Sequence, residues 1–101
     1  MIADPDVLMS RIPDQLSVEL DGEIAILNLN TKLYFGLTKV GAFIWKLLET
    51  PASQAALVRA VCENFEVKTQ QTSDDVKRFL VELDDAGLLK FELLEEDSKV
   101  G

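Results

Sequence analysis

The sequence predicts an α+β domain in which a three-stranded antiparallel sheet is followed by a bundle of three helices. Three observations support this fold class. The pair Asp21-Gly22 separates two apolar segments that alternate as strands do. The run Leu33–Phe35 leads directly into apolar residues at helical spacing over Val40–Leu48. Two more segments with helical spacing follow, and 101 residues suffice for one hydrophobic core.

The strands are predicted from their alternation and their turns. Leu16, Val18 and Leu20 alternate with polar residues, and strands are expected at about 16–20 and 23–29. The Asp-Gly pair between them favours a type I′ turn, which needs positive φ at both positions. Asn30 tolerates the left-handed conformation and is expected to form the turn before a third strand at about 33–36.

The helices are predicted from caps and apolar stripes. The first is expected at about 39–49 after an N-cap at Thr38, and the second from Ser53 to about 64. Residues 66–72 are polar and are expected to form a connector. The third helix is then expected to begin after Thr72 or Ser73 and to end near a left-handed C-cap at Gly87.

The flanking segments are expected to lie outside this domain. Residues 1–15 contain two prolines and little periodicity, so we expect a mostly extended lead-in. Residues 92–101 contain four acidic residues and one basic residue and are expected to form an acidic, flexible tail. The domain proper is therefore predicted at 16–91. Within it, Gly41 interrupts the first helix, which suggests either a close approach to another backbone or simple tolerance.

The composition argues against catalysis and against cofactor or metal binding. The chain has no histidine and a single cysteine, which removes the commonest general base and any CxxC site. Cys62 lies on an apolar helix stripe, where a buried, inert thiol is expected. Adjacent acidic residues such as Asp84-Asp85 point about 100° apart on a helix and make poor acid–base pairs. We therefore predict a protein that is not an enzyme.

The charge and the hydropathy of the sequence indicate which partners and which cellular compartment to expect. Ten basic and eighteen acidic residues give a net charge of −8, which disfavours nucleic acid as a partner. The first residues are acidic rather than basic, and no apolar run approaches membrane-spanning length. These features predict a cytoplasmic protein with no membrane association.

The third strand is a candidate binding element. In a three-stranded meander its outer edge is free, and a free edge is either covered or used by a partner that adds a strand. The acidic tail covering this edge is the competing interpretation. On the third helix, Val81 is apolar but lies off the core stripe, near Lys77. The pair could form the wall of a peptide groove or could be ordinary surface residues.

The order of the predicted elements and the local sequence resemble those of the PqqD-like family. Its members recognise the leaders of ribosomally made, modified peptides. The resemblance lies in LDGEIAILNLNTKLYFGLTKVGAFIWKLLE, especially Leu37, Gly41, Ile44 and Trp45. The segments SQAALVRAVCENF and DVKRFLVELDDAGLL add to it, so that it covers about residues 16–90. The chain is most similar to the standalone members of lasso-peptide clusters. It lacks the proline-containing stretch of the pyrroloquinoline quinone members.

The resemblance implies a winged-helix-like fold and a non-catalytic adaptor. The leader of the precursor peptide would add as a strand to the third β-strand and lie against the third helix. The partner enzyme would be a leader peptidase of the cysteine-protease type or, alternatively, a radical SAM enzyme. Carried onto this chain, the peptide-binding residues are Lys32, Leu33, Tyr34, Phe35 and Gly36 on the strand, with Val76, Lys77, Leu80, Val81 and Asp84 on the helix.

Two other classes of protein have a similar size or architecture. A winged-helix DNA-binding regulator would need a basic recognition face, and Lys77-Arg78 is a small contribution against a net charge of −8. An acidic carrier protein would need an Asp-Ser-Leu attachment site at a helix start, which the sequence lacks.

Overall fold

The computed structural model describes residue 2 and residues 4–93 of the chain. Eight elements follow one another along the chain: β1 (Val7–Arg11), β2 (Gln15–Leu20), β3 (Glu23–Asn28), β4 (Tyr34–Leu37), α1 (Lys39–Leu47), α2 (Gln54–Phe65), α3 (Thr69–Asp85) and β5 (Leu89–Leu93). The predicted class, a three-stranded antiparallel sheet followed by three helices, is confirmed.

The three-stranded sheet has the order β2-β3-β4, with both pairs antiparallel. Asp21 and Gly22 have φ values of 56° and 83°, as the predicted tight turn requires. The next turn lies where it was expected, but the left-handed residue in it is Lys32, with φ 65°, and not Asn30. The Asn28 carboxamide oxygen accepts from the N–H groups of Asn30 and Thr31 and organises this turn from its first residue.

The N-terminal segment is part of the fold, which corrects the expected lead-in at residues 1–15. Strand β1 pairs antiparallel with β5, in register from Val7 opposite Leu93 to Arg11 opposite Leu89. Met9 also exchanges two backbone hydrogen bonds with Ala52, of 2.8 and 2.9 Å. Val7 and Met9 are fully buried. Strand β5 includes residues 92 and 93 of the expected acidic tail, and residues 94–101 lie outside the described residues.

The helices largely follow their predicted positions. The Ser53 hydroxyl accepts a hydrogen bond from the Ala56 N–H and caps α2, as predicted. Thr38 occupies the N-cap of α1 with extended backbone, but its side chain makes no capping hydrogen bond. Gly87 has φ 72°, which confirms the left-handed turn after α3.

Helix α3 begins at Thr69, several residues before the predicted start. The expected connector 66–72 is therefore shorter, because its second half forms the first turn of the helix. Thr72 is buried and continues the stripe of Val76 and Leu80 by one turn. Since threonine is polar, the apolar pattern alone did not extend that far.

The core lies between the sheet and the helices. Ile24 and Ile26 of β3 face the helices, and Ile44, Trp45 and Leu48 are buried opposite them. Trp45 is completely buried, and its indole N–H donates to the Ser17 hydroxyl at 2.9 Å. The Arg11 guanidinium carbon lies 5.4 Å from the centre of the Trp45 rings.

Two smaller expectations are resolved at α1 and α2. A Cβ on Gly41 would lie 3.2 Å from a ring carbon of Phe79, so the close approach is to a side chain and not to a backbone. The Cys62 thiol is half-buried, not fully buried, and its sulfur lies 3.8 Å from the Thr69 hydroxyl.

Among the helices described, none is long and apolar enough to span a bilayer.

Candidate binding cleft beside an edge strand

Strand β4 is an edge of the three-stranded sheet and pairs, within the described residues, with β3 alone. The Asn28 N–H donates to the Leu33 carbonyl at 2.9 Å, which fixes the phase of this antiparallel ladder. Because hydrogen-bonded positions alternate, Phe35 directs its backbone groups toward β3. Tyr34 and Gly36 therefore direct their N–H and C=O groups toward the open edge.

A cleft of about 440 Å³ lies between this edge and the C-terminal end of α3. Its floor is apolar and consists mainly of Leu33, Phe35, Ala86 and Leu88. The remaining lining residues are Asn28, Tyr34, Glu82 and Asp85. The open backbone edge and the apolar floor together form a trough that an extended peptide could enter.

Asn28 sets the distance between the two walls of the cleft. Its side chain is buried, and the carboxamide nitrogen donates to the carbonyl oxygens of Ala86 at 2.8 Å and Gly87 at 3.4 Å. The carboxamide oxygen accepts from the β3–β4 turn, as described above. One side chain therefore ties the end of α3 to the base of the edge strand.

The structure brings the strand residues of the predicted site together. Leu33, Tyr34 and Phe35 line the cleft, and Gly36 continues the open edge. Leu33 and Tyr34 are 67% and 75% exposed, although both are large and apolar in character. Lys32 is exposed at the turn, where its ammonium group donates to the Leu29 carbonyl.

The helix residues of the predicted site do not lie beside this cleft. Val76 and Leu80 are 2% and 0% exposed and belong to the core. Lys77, Val81 and Asp84 are exposed on a face of α3 that is turned by about 120° from the cleft, at 100° per residue. The helix presents Glu82, Asp85 and Ala86 to the cleft instead.

The sequence contains a signal for this second face of α3. Glu82, Asp85 and Ala86 have the i, i+3, i+4 spacing of one helix face, on the side of the core stripe opposite to Val81. The side that faces β4 depends on how α3 crosses the sheet, which the periodicity of the helix does not specify. Asn28 has no comparable signal, because a polar residue at a strand end usually indicates only a turn.

The outer face of the same sheet is apolar and exposed. In β2 the polar residues face the helices: Ser17 bonds Trp45, and Glu19 forms an ion pair with Lys46 at 2.6 Å. The apolar residues of β2 consequently face outward, with Leu16, Val18 and Leu20 57%, 63% and 72% exposed. Register places Ala25, Leu27, Tyr34 and Gly36 on this outer face as well. Together these residues give the sheet an exposed and mostly apolar outer face, on which Tyr34 is 75% exposed.

The polar groups among the described residues that line the cleft are the Asn28 carboxamide, the Tyr34 hydroxyl and the carboxylates of Glu82 and Asp85. In the described part of the chain, no group of three or more potential metal ligands comes together. A larger cavity of about 560 Å³ lies between α2 and the start of α3 beside Cys62, but it has no open strand edge.

Taken together, these features define a small α+β domain of winged-helix type with a trough along an edge strand. Comparison with known families agrees with this class. Residues 23–89 match the family described as coenzyme PQQ synthesis protein D, which is two-thirds of the chain. The chain belongs to this PqqD family.

Two solved structures are similar to the chain over most of its length. The structure of TbiB1 in complex with the TbiA(beta) leader peptide is 33% identical, with a TM-score of 0.75, and the match covers 80% of this chain and 94% of that one. A lasso peptide synthetase B1 complexed with the leader peptide is 18% identical, with a TM-score of 0.71 and coverage of 81% and 96%. The second likeness concerns the fold alone. No curated protein matches the chain.

Proposed function

We propose that this protein is a non-catalytic adaptor that binds the leader of a ribosomally made precursor peptide and delivers it to a processing enzyme. The leader adds as a strand to the open edge of β4 and occupies the cleft between β4 and α3. The protein acts in the cytoplasm, where the newly made precursor is available. Lasso-peptide biosynthesis is the favoured pathway, because the sequence resembles the standalone members of lasso-peptide clusters and the 33% identical relative is bound to a leader peptide.

The open edge of β4 is the observation on which the proposal rests. Tyr34 and Gly36 each offer an N–H and a C=O at hydrogen-bonding spacing, and a strand that pairs with them extends the existing sheet. These main-chain bonds depend little on the leader sequence. Specificity comes from the side chains that lie over Leu33 and Phe35 and against the end of α3.

The expected affinity is moderate, because the leader must be ordered from a flexible state. Ordering a disordered segment costs several kcal/mol of the gross interaction energy. We expect a free energy of binding on the order of −8 kcal/mol, which corresponds to a Kd of about 1 μM. This value suits an adaptor that must later release its peptide.

Delivery requires a second surface, and the outer face of the sheet has the required properties. Strand β2 reverses the usual pattern, so that apolar residues face outward while Ser17 and Glu19 face α1. A leader strand on β4 would widen this same face. The partner is a leader peptidase of the cysteine-protease type. A radical SAM enzyme is the alternative, since the same surface could receive either enzyme.

A role in DNA binding fits the structure less well. The exposed side of α3 near its C-terminus carries Glu82, Asp84 and Asp85, which repel phosphate. The nearby Arg78 is engaged with Asp75 at 3.1 Å.

The test uses two substitutions of one residue of the open edge. Gly36 lies outside the left-handed region, and a Cβ there would meet no atom within 4 Å. Gly36→Pro removes the outward N–H without removing a bond to β3, whereas Gly36→Ala keeps it. Isotope-labelled protein is titrated with the TbiA(beta) leader peptide, and amide shifts and Kd are measured for wild type and both variants.

We expect shifts concentrated in residues 33–37 and 82–88 of the wild type. Gly36→Ala should bind within about twofold of wild type, while Gly36→Pro should weaken binding at least tenfold. Both variants must retain dispersed spectra. If a folded Gly36→Pro variant binds as tightly as Gly36→Ala, strand addition at β4 is refuted.

A further inference from the structure

The wall that α3 contributes to the cleft is acidic. Glu82 and Asp85 line the cleft one helical turn apart, separated by about 4.5 Å of rise along the axis. Both residues are exposed, and the ion pairs within the described residues, Lys46–Glu19 and Arg78–Asp75, involve neither of them. Of the described residues that line the cleft, none is basic.

These carboxylates lie at the end of the helix where negative charge is least favourable. The last turn of α3 contains Glu82, Asp84 and Asp85 and no basic residue. The carbonyl groups at a helix C-terminus carry partial negative charge, so acidic side chains there destabilise the helix. A bound cation would reverse this penalty, since it would interact with both the carboxylates and the helix end.

The geometry of an added strand places particular leader side chains beside this wall. Every second residue of a strand faces the same side, at intervals of about 6.6 Å. On the helix side of β4, Phe35 forms an apolar floor beside Leu88. A leader residue over this floor is therefore apolar, and the helix-facing residue two positions away can reach Glu82 and Asp85.

We infer that the cleft selects leaders that carry a lysine or arginine on the helix-facing side of the added strand, two residues from an apolar side chain. The apolar side chain packs over Phe35, the aliphatic part of the basic residue packs over Leu33, and its charged group lies between Glu82 and Asp85. This inference rests on the proposed function. It adds which leaders the protein accepts and which residues of α3 select them.

The experiment selects peptides from a random 14-residue display library on three proteins. These are the wild type, the cleft variant Glu82→Gln/Asp85→Asn, and a control variant, Glu63→Gln/Asp84→Asn, which removes the same charge outside the cleft. The best wild-type peptide is then synthesised with its basic residue intact or replaced by norleucine. Each peptide is titrated into each protein, and thermal midpoints are recorded.

We expect wild type and control to select peptides with a basic residue at a fixed spacing of two from an apolar residue. Norleucine should weaken binding to both proteins about fivefold, the upper range for an exposed ion pair. The cleft variant should bind the two peptides equally. Its thermal midpoint should be at or above that of wild type, because acidic residues leave the negative end of α3.

The outcomes separate this inference from the proposed function. Peptides selected at β4 without a basic preference, or an equal norleucine effect in the cleft variant, would overturn the inference and leave leader binding intact. If neither the library nor the TbiA(beta) leader peptide gives any binding to wild type, the proposed function fails as well, and the inference with it.

Discussion

Replacing Asn28 by aspartate should destabilise the protein strongly, although the two side chains have nearly the same shape. The Asn28 oxygen accepts from Asn30 and Thr31 at 2.8 and 3.3 Å, and an aspartate can keep these bonds. The nitrogen that donates to the Ala86 carbonyl at 2.8 Å would be replaced by an oxygen. A donor–acceptor contact would thus become a contact between two acceptors.

The magnitude follows from burial and from the lost hydrogen bonds. Asn28 is 3% exposed, so a charged carboxylate at this position would be largely desolvated. Losing the bond to Ala86 costs about 1 kcal/mol, and leaving buried acceptors without a donor adds about 1–3 kcal/mol. We expect a loss of about 2–4 kcal/mol in the free energy of unfolding. This corresponds to a decrease of roughly 10–25 °C in Tm for a domain of this size.

The assay is urea unfolding followed by circular dichroism, with Asn30→Asp as the matched control. Asn30 is exposed, so its substitution should change stability by less than about 0.5 kcal/mol. At a temperature where Asn28→Asp is folded, its affinity for the TbiA(beta) leader peptide should also fall, because the end of α3 is no longer held beside β4. A loss below about 1 kcal/mol, or one equal to that of Asn30→Asp, would refute the role assigned to Asn28.

Two further predictions concern the α1–α3 contact and the outer face of the sheet. Gly41→Val should lower the free energy of unfolding by about 1–3 kcal/mol, since even a Cβ would lie 3.2 Å from the Phe79 ring. Urea unfolding measures this loss. An unchanged unfolding midpoint would contradict the contact between Gly41 and Phe79. Val18→Glu should leave leader affinity unchanged but abolish co-elution with a lasso-type leader peptidase in gel filtration. The control Val81→Glu changes an exposed valine of α3 and should co-elute as wild type does.

The strands and helices of residues 16–91 could be predicted because their signals are local. The Asp-Gly turn requires positive φ at two adjacent positions, and few other sequences provide this. Ser53 caps α2 through a bond to a residue three positions away. The apolar stripes of the helices repeat within a few turns. Each of these features depends on residues that are near one another in the chain.

The missing parts of the prediction depend on distant residues. Strand β1 pairs with β5 across almost the whole chain, from Val7 to Leu93, and no local pattern indicates such a partner. The first turn of α3 was missed because Thr72 is polar and yet buried by its neighbours. In β2, alternation predicted a strand but not its orientation, which the bonds of Ser17 and Glu19 to α1 determine.

By itself, the sequence determined the fold class, the family and the strand whose edge is open. The fold class and the open edge follow from turn chemistry and hydrophobic periodicity, which act within short segments, and the family follows from the resemblance of those segments to known members. Tertiary structure alone decided which side of α3 faces that edge, bringing Glu82 and Asp85 to the cleft and burying Val76 and Leu80 in the core. The physical reason is that periodicity fixes the angles between residues on one helix, whereas packing against the sheet fixes the rotation of the helix as a whole.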